Sequence, residues 1–179
     1  MRTLPDLLRP GLDVVFVGIN PGERSAALGH YYAHPGNGFW PALAASPLVD
    51  EPVSCLDDRR CPARWAIGFT DVVKRVVTDS TLVGADELRA AAPAFRRRVA
   101  YAAPRAVCFT STRAFDAVCP GTRRAHGWGR QAATVEGAQA WLMPSTSGRA
   151  IAFRPHVHEV LRELARALGR PRGEARSAA

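Results

Sequence analysis

Residues 14–22 read Val14-Val15-Phe16-Val17-Gly18-Ile19-Asn20-Pro21-Gly22. Four apolar residues, three of them β-branched, run into a Gly/Asn/Pro turn, the pattern of a buried parallel strand that delivers a polar side chain at its carboxyl end. In an open α/β sheet that edge is where ligands bind. Asn20 has both a donor and an acceptor in its side chain and is therefore able to hold and orient a water. Pro21 fixes a backbone dihedral beside it, while Gly18 and Gly22 permit tight turns and close approach. Alone, such a turn is an ordinary strand-to-loop connection. A second cluster changes its weight: Met143-Pro144-Ser145-Thr146-Ser147-Gly148-Arg149 also follows a strand-like run, Ala140-Trp141-Leu142.

Outward from these two turns, strand and helix signals alternate. The spacing predicts a short helix over 3–9, a strand over 13–19, a polar loop over 22–38 and a helix from about Gly38 to about Ser46. Residues 48–62 should be irregular or partly helical, and 65–69 approach a turn at Thr70-Asp71. Asp86 is a credible N-cap for a helix through Tyr101 that buries Leu88, Ala92, Phe95 and Val99. Pro104 stops it. A strand over 105–110 leads to Ser111, a cap for a helix over 112–118. Strands near 132–135 and 139–143 precede a last helix, about 154–168, with Val157, Val160, Leu161, Leu164 and Leu168 on one stripe. Such alternation predicts an α/β layered domain with a mainly parallel central sheet, spanning residues 1–169. Residues 170–179 lack apolar periodicity and are expected to form a disordered basic tail.

The 179 residues are 47% hydrophobic and 22% charged, the balance of a soluble globular protein. No apolar run approaches the ~20 residues of a membrane span, and no secretory signal is evident, so a cytoplasmic location is expected. The formal net charge is +8, and Lys74 is the only lysine among 24 basic residues. A base-composition bias accounts for the shortage of lysine, but not for the excess of positive charge. That excess makes a polyanionic partner plausible. Cys55, Cys61, Cys108 and Cys119 form no C-x2-C pair; Cys108 and Cys119 read as buried unpaired thiols, the spacing disfavours a four-thiolate metal site, and a disulfide framework does not fit.

Five polar clusters follow strand-like runs or lie in the first loop: Asn20, the stretch Tyr31–Asn37, Thr70-Asp71, Ser111-Thr112-Arg113, and Ser145–Arg149. Convergence of strand ends on one crevice is how an α/β fold builds an active site. In the order VVFVGINPG (14–22), AHPGNGFW (33–40), GFTDVVKR (68–75) and MPSTSGR (143–149), the chain resembles the mismatch-specific uracil/thymine DNA glycosylases of the uracil-DNA glycosylase superfamily. The resemblance spans residues 11–166. It implies a three-layer α/β sandwich and a monofunctional, cofactor-free enzyme of base-excision repair. Such an enzyme flips uracil, or a related pyrimidine, out of mismatched double-stranded DNA and hydrolyses its N-glycosidic bond as a monomer.

Roles follow from the resemblance residue by residue. Asn20 holds the attacking water. Tyr32 supplies the face on which the flipped base stacks. Gly18, Ile19, Asn37 and Ser145 line the base pocket. Arg149 is the wedge that fills the space left by the extruded nucleotide, with Ser147 and Gly148 close to the DNA backbone. His34 is expected to brace its loop. Asp71 departs most from the pattern and keeps two readings, a carboxylate that polarises the water with Asn20 or an N-cap for a helix starting at Val72. No residue set suggests a divalent-metal site. A competing class is a non-catalytic DNA-binding domain on the same scaffold, which release of an abasic site would exclude. A phosphate-ester hydrolase is disfavoured, because neither a P-loop nor a dense Asp/His set is present.

Overall fold

The computed structural model describes residues 3–123 and 127–170. Five strands form one sheet: β1 (Val14–Gly18), β2 (Ile67–Asp71), β3 (Ala106–Phe109), β4 (Gly129–Val135) and β5 (Ala138–Leu142). Their spatial order is β2-β1-β3-β5-β4. Three neighbouring pairs are parallel, and β4 joins β5 as an antiparallel edge. The helices are α1 (Glu23–Leu28), α2 (Phe39–Ala44), α3 (Cys61–Arg64), α4 (Ala85–Ala102), α5 (Thr112–Val118) and α6 (Arg154–Ala167).

The central strands bury both faces, which is why they read as continuous apolar runs. Phe16, Phe69, Cys108 and Trp141 project to one side and pack with residues of α2 and α6. Val15, Val17, Val107, Phe109 and Leu142 project to the other and pack with α4 and α5. Two cores on opposite faces of one sheet make the expected three-layer sandwich. Cys61, Cys108 and Cys119 are buried free thiols, and Cys55 is half-buried.

Three local expectations change. The predicted helix over 3–9 is an extended strap, in which Leu7 exchanges two backbone hydrogen bonds with Phe69 at 2.9 and 3.1 Å. Leu4, Leu7 and Leu8 have helical spacing, but the open edge of β2 offers backbone partners and a place for Leu4 in the core, and tertiary context overrides the local pattern. Asp86 does not cap α4. Gly84 takes that position, and Asp86 sits in the first turn paired with Arg89. No helix starts at Val72, so Asp71 is not an N-cap. Ser111 does cap α5, accepting from the Ala114 amide at 3.5 Å.

Arg170, assigned by sequence to the tail, is docked. Its guanidinium donates to the carbonyls of Leu48 (2.8 Å) and Trp65 and pairs with Asp13 at 2.5 Å. The rest of the predicted tail, 171–179, lies outside the described residues.

Candidate active site

The carboxyl ends of β1, β2, β3 and β5 open into one cavity of about 500 Å³. Gly18, Ile19, Asn20, Tyr32, Asn37, Asp71, Ser145 and Ser147 all line it. Parallel pairing explains the first meeting: Gly18 and Asp71 are register partners at the ends of adjacent strands. A Cβ at residue 18 would collide with the Asp71 carboxylate, so the glycine creates the space the carboxylate occupies.

Asn20 is held by its amide nitrogen alone. Nδ2 donates to the carbonyls of Pro21 and Val77, both at 2.9 Å. Both N–H groups are thereby used, and Oδ1 is left buried without a hydrogen-bond partner. The Val77 carbonyl belongs to a loop that runs alongside the turn over residues 18–22. Val72, Val73 and Val77 donate their amides to the carbonyls of Gly18, Ile19 and Pro21. The loop is staked from behind by Arg98, which binds the carbonyls of Asp71 (2.7 Å) and Val72, and by Arg113, which binds those of Ser80 (2.9 Å) and Val83.

Asp71 Oδ2 is likewise buried without a partner. Burial raises the Asp71 carboxyl to about 7; Asp6 adds to the shift, while Lys74 and Arg98 oppose it. Asp6 itself joins Lys74 (2.8 Å), Thr70 (2.6 Å) and Arg98 (3.2 Å) just behind the strand end. Orphaned buried polar atoms are rare in folded proteins, and here two belong to residues that line one cavity, which points to a polar ligand there.

Tyr32 forms the aromatic wall. Its ring stacks on Phe39 at 4.2 Å with planes 24° apart, and its backbone φ is +52°, a costly conformation for a tyrosine. The neighbouring turn is locked: Asp58 accepts from the Tyr31 amide and meets His30 at 2.9 Å each, and Trp40 donates its indole N–H to the Tyr31 carbonyl at 2.8 Å. The Tyr32 hydroxyl is buried near Thr110 and Asp71 without a well-formed hydrogen bond, and burial together with Asp71 raises its pKa. Asn37 accepts from the Phe39 amide at 2.9 Å, which fixes its Oδ1 and leaves its NH₂ as a donor. His34 accepts from the Gly36 amide at 3.1 Å, the bracing role expected of it.

A family model described as the uracil DNA glycosylase superfamily matches residues 5–167. The chain belongs to that superfamily. Membership makes it a DNA glycosylase by class and supports uracil in DNA as the substrate. The fold agrees with a solution NMR structure of a candidate uracil DNA glycosylase from Methanosarcina acetivorans, with a TM-score of 0.58 and 18% identity over 91% of this chain and 97% of that one.

Around this site, Gly148 and Arg149 stand outside the cavity on the 3₁₀ segment Gly148–Phe153. Arg149 is 82% exposed and reaches Asp79 across the mouth at 3.5 Å. Ser145 and Ser147 are exposed and linked at 3.2 Å. Ser111, Thr112 and Arg113 line the far wall, which gathers all five sequence clusters around one space. Sequence reading missed the Val77 carbonyl and Arg98, and it placed Arg113 in a site cluster without its staking role. A backbone acceptor leaves no residue-type signal, and an arginine on a helix gives none until the loop it binds is seen.

Proposed function

We propose that the protein is a monofunctional glycosylase that removes uracil, and related pyrimidines including thymine, from mismatched double-stranded DNA and leaves an abasic site. The observation that carries this reading is the pair of partnerless buried oxygens, Asn20 Oδ1 and Asp71 Oδ2, at neighbouring strand ends in one cavity. The flipped base stacks on Tyr32, and the Asn37 NH₂ is a donor for a pyrimidine carbonyl. As the C1′–N1 bond breaks, its electron pair leaves with the pyrimidine and the sugar acquires oxocarbenium character. A water accepted by Asn20 Oδ1 adds to C1′, and its proton passes to the Asp71 carboxylate, whose raised pKa suits that transfer near neutrality. Fixed N–H donors stabilise the departing anion. No lysine lines the cavity, in keeping with one-step hydrolysis without a covalent sugar intermediate.

The test is product analysis on a duplex with one G·U pair. Free uracil and an abasic strand should appear together, and borohydride should trap no protein–DNA adduct. Binding without base release would sink the enzymatic reading; a trapped adduct would sink the one-step mechanism.

A further inference from the structure

Beside the larger cavity lies a smaller one of about 250 Å³, whose lining includes Pro35, Gly38, Pro41, Arg154 and His158. Asn37 and Thr146 line both spaces and stand between them. We propose that this second cavity is an anion subsite that seats a phosphodiester of the DNA strand next to the flipped nucleotide, with Arg154 and His158 as its principal contacts. The proposal rests on the glycosylase reading, which places the flipped nucleotide in the larger cavity.

The chemistry of the lining is one-sided. Arg154 and His158 stand on the same face of α6, four residues apart, at helical spacing. The Asn37 oxygen is held by the Phe39 amide, so its NH₂ presents two N–H donors, one for the base carbonyl and one for this side. No carboxylate lines the cavity. Around an anion this set of N–H donors is complementary, and Arg154 brings a full positive charge to it. Arg154 takes part in no ion pair or hydrogen bond recorded among the described residues, in contrast to Arg98, Arg113 and Arg170, each held by backbone carbonyls. Arg154 and His158 are therefore available to a ligand.

The walls are also preset. Gly38 donates its amide to the Thr146 carbonyl at 2.7 Å, tying the first loop to the Ser145–Arg149 turn. A Cβ at residue 38 would stand 3.3 Å from Arg154 Nε, so glycine lets the guanidinium lie over this junction. Pro35 and Pro41 stiffen the opposite side. Adjacent phosphates along an extended strand are separated by roughly the width of one nucleotide. In the proposed arrangement, a strand whose base enters the larger cavity passes Asn37 and Thr146 and sets a neighbouring phosphate in the smaller one. A seated phosphate would set the depth to which the nucleotide is drawn in, which is how phosphate contacts fix register without reading sequence.

The experiment measures affinity for a duplex carrying a tetrahydrofuran abasic analogue opposite guanine, with the phosphates around it replaced one at a time by neutral methylphosphonate. For the wild type, one flanking replacement should weaken binding several-fold more than the others. Arg154→Gln should weaken binding to the unmodified duplex about as much, lower the salt slope by about one ion, and lose nothing further at that one position. His158→Gln should show the same silence at the same phosphate. Thermal melting should be unchanged for both variants. Equal additional losses at every phosphate would overturn the subsite and make Arg154 part of a diffuse field, as would no loss at all. Selective abasic binding without uracil release would contradict the catalytic reading while leaving the phosphate scan decisive. Failure to prefer the abasic duplex would contradict both.

Discussion

In the proposed mechanism Asn20 and Asp71 divide the chemistry between an oxygen that positions and a carboxyl that takes a proton, and the fold prepares each differently. Asn20 is oriented by giving both N–H groups to carbonyls, so that only Oδ1 remains to act. Asp71 is prepared by burial, which holds its carboxyl at about 7. A folded-state value above the ordinary one means that ionisation opposes folding. The stability associated with the protonated group is full below about pH 4 and is lost as pH rises to 7. Asp71→Asn should therefore melt close to the wild type at pH 4 and above it at pH 8. Excision should move the opposite way: the wild-type rate rises through about pH 7 and levels off, and the variant lacks that rise and is slow throughout. Melting curves and single-turnover rates across pH 4–9 check both halves. A variant that melts lower than the wild type at every pH would make Asp71 a structural residue.

At the scale of elements, the sheet was legible because parallel strands buried on both faces must be continuously apolar, and the runs at 14–17, 106–109 and 140–142 satisfy that rule. The polar turns after them were legible as a site because strand ends converge. What was not legible depended on partners distant in sequence. The strap over 3–9 carries helical spacing and becomes extended only because β2 has a free edge. The capping role open to Asp71 failed because Val72 and Val73 give their amides to the β1 turn instead of starting a helix. The strap docks over Gly68, where a Cβ would stand 2.8 Å from the Leu7 carbonyl and closer still to Leu12. Gly68→Ala should accordingly cost about 1–3 kcal/mol through overpacking. Urea denaturation measures it, and excision per folded molecule should be retained. An unchanged midpoint would show that the strap is not packed against β2 as described.

Across the whole molecule, a net charge of +8 suits a polyanion, and the mouth of the cavity carries Arg149 as its most exposed cation with a defined partner, Asp79. That pair is exposed and weak, so the guanidinium is readily released to the duplex. If Arg149 fills the void left by the flipped nucleotide, it offsets an unpairing and unstacking cost of a few kcal/mol that is smallest at mismatches. Arg149→Ala should slow excision most from A·U, less from G·U and least from single-stranded uracil; equal losses on all three would reassign it to the DNA backbone. In the proposed mechanism one side-chain oxygen directs the water while the rest of the protein holds the DNA. Asn20→Ala separates the two. With protein in excess over a G·U duplex, its affinity should stay within a few-fold of the wild type, while the single-turnover rate of uracil release falls ~100-fold or more. Wild-type excision by a variant that binds normally would contradict the account.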